Sequence, residues 1–257
     1  MQGVTEFLPV SSTAHLVLIP WFLSWHDQGL AYDIALHMGT LAALLYYFRS
    51  DWAGLITGFF SVVRRGNYEG NPKGRLAVYV AVATVPGAVA GFLFEKYAGS
   101  ALRDPLVLAG TLSFFGVLLY VADKAYARTR SIAEITLLDS VVIGIFQALA
   151  IVPGVSRSGI TITGALMRNY ERDEAARFSF LLATPVIAGA GLLEIRHLAL
   201  STVLTPEFAG GVAASAVFGF FSIKYLIRYV QTRSYTVFAL YRLLLAAVIL
   251  YTYYVLR

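Results

Sequence analysis

The sequence predicts an all-α polytopic membrane protein: an inverted-topology repeat of about six full transmembrane helices plus two re-entrant helical hairpins. Three observations carry that reading. The 257 residues are 58% hydrophobic and only 14% charged, with a mean hydropathy of +0.69, whereas soluble domains are about 25% charged. Long apolar runs alternate with short loops that hold most of the Lys and Arg. Two polar motifs containing proline and serine, Gln2–His15 and Pro153–Thr161, interrupt otherwise apolar stretches. The same composition narrows function. With no cysteine, disulfides, thiolate metal sites and a cysteine nucleophile are excluded. The net charge of +5 suits anionic lipid headgroups, so membrane lipids are the expected neighbours. No nucleic-acid partner is expected, because the basic residues sit in short loops rather than on one folded polar face.

Apolar runs fall at about 10–25, 34–48, 75–95, 105–122, 136–152, 159–168, 176–194, 207–229 and 235–256. Trp52 to Val63 is too short to cross a ~30 Å core and predicts an interfacial helix or part of a membrane hairpin. Met1 leads straight into the first motif. A helix entering that motif normally has roughly ten more residues upstream, so residues preceding Met1 are expected in the natural chain.

Lys and Arg set the orientation. Loops 49–75, 123–131, 168–177 and 228–233 are rich in them and are predicted cytoplasmic; 24–33, 96–104 and 195–206 are poor and predicted external. If 123–131 and 168–177 lie on the same side, the segment between them must enter and return, with Pro153-Gly154 at the turn. Such a break is tolerated at membrane depth only when buried in protein or lining a wet cavity. The first half repeats the plan upside down, with Pro9 and Ser11-Ser12 at its break. Gly3-x-x-Glu6 echoes Gly144-x-x-Gln147, and Ala83-Thr84-Val85-Pro86 echoes Ala183-Thr184-Pro185. Residues 1–257 are therefore expected to form a single integral membrane domain, with repeat 1 about 1–123 and repeat 2 about 136–256, and with its two hairpins meeting near the midplane, a plan common among transporters.

A buried carboxylate is costly unless paired or solvated. Glu6 is accordingly read as a structural or capping acid, a metal ligand or a general base. Gln2, four residues earlier, shares its helical face and can orient or coordinate through its amide, but cannot carry a catalytic proton. Ser11, Ser12 and Thr13 follow the Pro9 break, where hydroxyls often simply cap the next helix. Ser12 and His15 are three apart and can meet on one helical turn. With Glu6 they supply hydroxyl, base and orienting acid. Arg157 stays charged and suits bidentate contact with phosphate. Ser156, Ser158 and Thr161 surround it, and Gly154 and Gly159 let backbone N–H groups approach an anion. Arg157 could equally neutralise Glu6 across the hairpins, and the two roles are compatible. Among weaker candidates, His37 reads as packed or interfacial, Tyr241-Arg242 as an anchor with Arg242 snorkelling or paired internally, His26 and His197 as solvated, and Ala188-Gly189-Ala190-Gly191 as close helix packing.

At Gln2-Gly3-x-Thr5-Glu6-Phe7-Leu8-Pro9-x-Ser11-Ser12-x-x-His15 and Pro153-Gly154-x-Ser156-Arg157-Ser158-Gly159-x-Thr161 the chain resembles the bacterial undecaprenyl-diphosphate phosphatase family, integral membrane enzymes linked to bacitracin resistance. His37-x-Gly39-Thr40-Leu41, Phe178–Pro185 and Tyr241-Arg242 add support, and the resemblance covers essentially the whole chain. It implies hydrolysis of a C55 polyprenyl diphosphate lipid to the monophosphate carrier of cell-wall (peptidoglycan) synthesis, in the bacterial inner (plasma) membrane, with a divalent cation (Mg2+ or Ca2+) and a site opening to the external, periplasmic face. Carried over, Gln2 and Glu6 occupy the acidic motif, with Glu6 as metal ligand; Ser12 and His15 fall on the nucleophile and acid/base positions; Ser11 lies beside them on the substrate. Ser156, Arg157, Ser158 and Thr161 fall on the phosphate-binding motif. Glutamine at position 2, which the family allows, speaks against proton chemistry there. Diphosphate hydrolysis is mostly positioning and charge neutralisation, which agrees with the residues themselves.

Attack by Ser12, by His15 or by water activated by His15 or Glu6 stays open at this level. The oligomeric state is open too, a homodimer among the options. The competing reading is a polyprenyl-phosphate transporter or flippase, because inverted repeats with broken helices usually serve alternating access. The other lipid-phosphatase superfamily requires a histidine where this chain has Thr163, and is rejected.

Overall fold

A computed structural model of the chain describes residues 1–25, 30–68, 70–98, 103–194 and 205–256. His26 and His197 lie outside the described residues, as does much of the three loops expected outside. The fold is all-helical: α1 Gln2–Thr5, α2 Ser12–Leu23, α3 Leu30–Tyr47, α4 Arg49–Arg65, α5 Pro72–Ala98, α6 Pro105–Ala125, α7 Leu137–Ala148, α8 Arg157–Met167, α9 Arg172–Glu194, α10 Pro206–Thr232 and α11 Thr236–Tyr251.

Helix starts follow the local sequence. Asp104 caps α6 through Leu106 N (2.7 Å) and Thr205 caps α10 through Phe208 N (3.3 Å), each followed by proline at the first helical position. Thr136 and Asp139 form a reciprocal capping box on α7. Among the described residues, five helices are long and apolar enough to cross a membrane, so the protein is a multi-pass membrane protein. The remaining expected span, 34–48, is α3, whose 18 residues rise about 27 Å at 1.5 Å per residue. The Trp52–Val63 run lies within a continuous amphipathic helix, α4, with Phe59, Phe60 and Val63 outward. Its other face packs on α5, and a Cβ at Gly58 would stand 2.6 Å from Gly74 N.

The four Lys/Arg-bearing loops converge on one end. Arg172 Nε donates to Asp123 Oδ1 (2.6 Å), which joins the start of α9 to the end of α6. Arg177 pairs with Asp51 at the start of α4, and Arg75 reaches the Ala133 carbonyl. The Tyr235 amide donates to Asp123 Oδ2 (3.2 Å) from the α10–α11 turn. Arg130 and Arg168 both bind Asp139, at 2.8 and 2.6 Å. The chain from 137 to 167 therefore leaves and returns to the same end of the molecule.

In the packing of the long helices, α5 lies on α7 and α9, while α10 lies on α1 and α3. The main core gathers Phe7, Phe48, Phe178 and Phe180, with Phe7 edge-on to Phe180 at 5.4 Å between centroids. The echoing runs Ala83–Pro86 and Ala183–Pro185 lie on α5 and α9, helices that pack on each other.

Candidate active site

Each polar motif folds as a helix, a break and a second helix whose first residue is preceded by a strained serine. After Pro9, Ser11 adopts φ 72°, ψ 95° and accepts the Ala14 amide at 3.3 Å. After Pro153-Gly154, Ser156 adopts φ 70°, ψ 109° and accepts the Gly159 amide at 3.2 Å. A positive φ on a residue other than glycine is uncommon and costs on the order of 1–3 kcal/mol. Its occurrence at matched positions in both motifs marks where surrounding structure overrides backbone preference. Ser158 Oγ donates to the Leu8 carbonyl at 3.2 Å and so ties the second break to the first.

Glu6 sits where the breaks meet. Its Oε2 accepts Gln2 Nε2 at 2.9 Å and Ser12 Oγ at 2.5 Å, while Oε1 accepts Arg157 Nη2 at 2.5 Å. Residues 151 positions apart thus form one ion pair, with Glu6 buried and Arg157 largely so. The second guanidinium amine, Arg157 Nη1, is buried without a partner. A buried donor left unpaired is costly, and Nη1, on a residue that lines a cavity, can take an anionic ligand.

Glu6, Ser11, Ser12, Ser156 and Arg157 line a cavity of about 300 Å³ whose remaining wall is largely apolar, from α5, the end of α7 and α9. Other expected site residues stand elsewhere. Gln2 and His15 line a second cavity of about 350 Å³, although Gln2 still holds Glu6. Ser158 lies behind the lining on Ser156 and Leu8. Thr161 is turned towards α9, 2.6 Å from Ser179 Oγ, and does not line the cavity.

The expected meeting of Ser12 with His15 does not occur, because Ser12 is committed to Glu6. His15 instead holds Ser11 O through Nδ1 and Tyr241 OH through Nε2, both at 2.7 Å. A carbonyl can only accept, so Nδ1 carries the proton; in the neutral ring Nε2 then accepts from Tyr241.

Six residues take places that revise or extend their reading. His37, read as packed or interfacial, lines the cavity; its Nε2 lies 3.6 Å from Glu6 Oε2, and it is 30% exposed. Its Nδ1 donates to Asp33 O at 2.7 Å, which leaves Nε2 to face the site. Gln147 also lines the cavity, 3% exposed with Oε1 unpartnered. Its echo of Glu6 in Gly144-x-x-Gln147 was the available signal. Of the two readings of Arg242, snorkelling or internal pairing, the second holds, since it is fully buried on backbone carbonyls. Tyr241 holds His15. Ala190 and Gly191, read as helix packing, also line the cavity, and Gly191 packs closely against Met38 of α3.

Glu6 is the sole carboxylate on the cavity wall among the described residues, and no group of three or more His, Asp or Glu side chains gathers there to hold a metal. The orphaned Gln147 Oε1 is nonetheless a hard oxygen donor on the same wall. One carboxylate, one amide oxygen and ligand phosphates fit a cation bridged to substrate, the usual arrangement for Mg2+.

Comparison with known proteins agrees with this geometry. Residues 1–248 match the family model described as bacitracin resistance protein BacA. The chain is 47% identical over 257 residues to the undecaprenyl-diphosphatase of Moorella thermoacetica, covering 100% of this chain and 96% of that one. It is 45% identical over 252 residues to the same-named protein of Pelotomaculum thermopropionicum, covering 97% and 93%. It is 41% identical over 253 residues to that of Elusimicrobium minutum, covering 98% and 94%. With two motifs joined by an Arg–Glu pair across a multi-pass helical fold, and a match along nearly its full length, the chain belongs to the BacA bacitracin-resistance family.

Proposed function

We propose that the protein hydrolyses undecaprenyl diphosphate to undecaprenyl phosphate and inorganic phosphate, recycling a lipid carrier for cell-wall synthesis. The observation that carries this reading is the Ser12–Glu6–Arg157 array: a hydroxyl on a carboxylate at 2.5 Å, beside a guanidinium with one unpartnered amine. Arg157 Nη1 and Ser156 Oγ take oxygens of the terminal phosphate, and the apolar walls take the start of the isoprenoid chain. Ser12 Oγ attacks the terminal phosphorus, its proton passes to Glu6, and the bridging P–O bond breaks as undecaprenyl phosphate leaves. Water then attacks the phosphoserine. Ser12 Oγ departs and regains its proton from Glu6, and the water oxygen leaves in the phosphate. Gln2 orients Glu6 throughout, and Arg157 shares its charge between Glu6 and the phosphate. Glu6 and Gln147 would hold the divalent cation, Mg2+ or Ca2+, which when bound neutralises diphosphate charge. In this reading His15 positions Ser11 rather than carrying the proton, and Ser158 and Thr161 shape the clamp from behind.

The same proposal places the protein in the bacterial inner membrane as an inverted repeat, halves about 1–123 and 136–256, with six crossings and re-entrant segments 2–23 and 137–167. Support comes from the matched serine caps, the packing of α5 on α7 and α9 and of α10 on α1 and α3, and the return of 137–167 to its starting end. External opening is supported by the α9 wall residues 186–191, which lie about 20 Å along the helix from the Lys/Arg-bearing end.

Purified protein in detergent with Mg2+ is expected to release phosphate from undecaprenyl diphosphate, and EDTA is expected to suppress the release. Absence of release, together with movement of the lipid across proteoliposomes, would favour the transporter reading instead.

A further inference from the structure

Adjacent residues on the last helix reach the two motifs separately. Tyr241 OH donates to His15 Nε2 at 2.7 Å, with the rings stacked 5.7 Å apart at 7°. The opposite edge of that imidazole donates through Nδ1 to Ser11 O at 2.7 Å, the carbonyl of the strained cap and the peptide that leads into Ser12. Arg242 donates through Nη2 to Gly154 O at 2.8 Å and Val155 O at 3.0 Å, and through Nε to Leu112 O at 3.2 Å. Thr111 on α6 donates to Pro153 O at 2.9 Å. Three consecutive carbonyls, Pro153 to Val155, are thereby held immediately before the second strained cap, Ser156, and Arg157.

Full burial makes this arrangement informative. Arg242 is 0% exposed, yet no carboxylate lies within salt-bridge range of it among the described residues. A permanently charged guanidinium placed on carbonyl dipoles costs more than an apolar side chain would merely to fill the space. Its Nη2 grips two successive carbonyls of an irregular turn while Nε reaches a third on α6, a span that the compact ammonium of lysine does not cover. Tyr241 is spent likewise: its hydroxyl occupies the ring nitrogen that His15 would need for chemistry.

We propose that Tyr241 and Arg242 are positioning residues that clamp the two strained serine caps independently. Tyr241 acts through His15 and Ser11 on the nucleophile Ser12. Arg242, with Thr111, acts through the 153–155 carbonyls on the phosphate clamp Ser156-Arg157. The inference rests on the hydrolytic reading above and adds a kinetic signature to it. Disturbing the first clamp misplaces the attacking group and lowers kcat; disturbing the second weakens phosphate binding and raises KM.

The test is steady-state phosphate release by the full chain bearing Tyr241→Phe, Arg242→Lys or Thr111→Val, with Leu244→Ala, a 65% exposed position on the same helix, as control. Tyr241→Phe keeps the stacked ring and is expected to lower kcat by roughly 10- to 100-fold, the scale of an ångström-sized misplacement, with KM within about twofold of wild type. Thr111→Val and Arg242→Lys are expected to raise KM more than they lower kcat, and Leu244→Ala to match wild type. If Arg242→Lys fails to fold, Thr111→Val decides alone. Equal effects of both classes on kcat and KM, or wild-type kinetics for Tyr241→Phe or Thr111→Val, overturn the proposal. Should wild type release no phosphate, the hydrolytic reading fails instead. The clamps are then read by binding of a methylenediphosphonate polyprenyl analogue, which Thr111→Val should weaken and Tyr241→Phe should not; any other pattern overturns them.

Discussion

Glu6 shows how much of the chemistry is decided at single residues. A lone carboxylate among apolar helices accepts one amide N–H, one hydroxyl and one guanidinium, so its charge is compensated without being buried in salt links alone. The hydroxyl it accepts is that of Ser12, so in the proposed reaction Glu6 rather than His15 is the base for attack. Rapid quenching of turnover with substrate labelled at the terminal phosphate is expected to trap label on Ser12 in wild type and none in Ser12→Ala, whose turnover falls at least about 100-fold, as for removal of an activated nucleophile. Near-normal turnover by Ser12→Ala would mean that water attacks directly. Residue types and spacing made Gln2, Glu6, Ser12 and Arg157 legible in the sequence. They could not show that His15 spends both ring nitrogens on Ser11 and Tyr241, since Tyr241 lies 226 positions away. His37 was missed for a related reason: only α3 packing beside the first break brings it to Glu6.

At the scale of elements, the prolines carried the most information. Pro9 and Pro153 announced both breaks, and each break ends in a serine cap, at Ser11 and Ser156. Local sequence cannot show why serine accepts a positive φ there. Each cap sits beside a contact to α11, made by Tyr241 through His15 at one site and by Arg242 to the carbonyl before the other. Helix limits were readable to within a few residues wherever a cap was written in the chain, as at Asp104, Thr136 and Thr205. The short Trp52–Val63 run was harder, because α4 extends to Arg49 and Arg65 through polar residues that carry no apolar signal. The α5–α9 echo has a local physical basis: each run holds a threonine just before a proline inside its helix, and Thr84 and Thr184 each bond the carbonyl four residues back, at 2.8 and 3.3 Å.

Over the whole molecule, two fully buried aspartates bind the Lys/Arg-bearing end together. Asp123 takes Arg172 and the Tyr235 amide, and Asp139 takes Arg130, Arg168 and the Tyr170 hydroxyl. Burial pushes the Asp139 carboxyl up, but Arg130, Arg168 and Thr136 outweigh it and hold the group well below the usual carboxylate range. Its contribution to stability is therefore complete above about pH 4, the ordinary aspartate value, and is lost as pH falls further towards the folded-state value. Asp139→Asn is expected to destabilise the protein at pH 7 by about 3–5 kcal/mol, the cost of breaking a buried pair. The gap in thermal unfolding between wild type and variant should narrow below pH 4; a gap unchanged from pH 7 to pH 3 would contradict this role.

Beyond that anchored end the two broken segments meet through Glu6 and Arg157. Their meeting is tested most directly by a double-mutant cycle on phosphate release from undecaprenyl diphosphate, with Glu6→Ala, Arg157→Ala and both together. If the pair works as one unit, each single change costs at least about 100-fold in kcat/KM and the double change costs little more. Losses that simply multiply would show that Glu6 and Arg157 act apart and that the two motifs do not share a site.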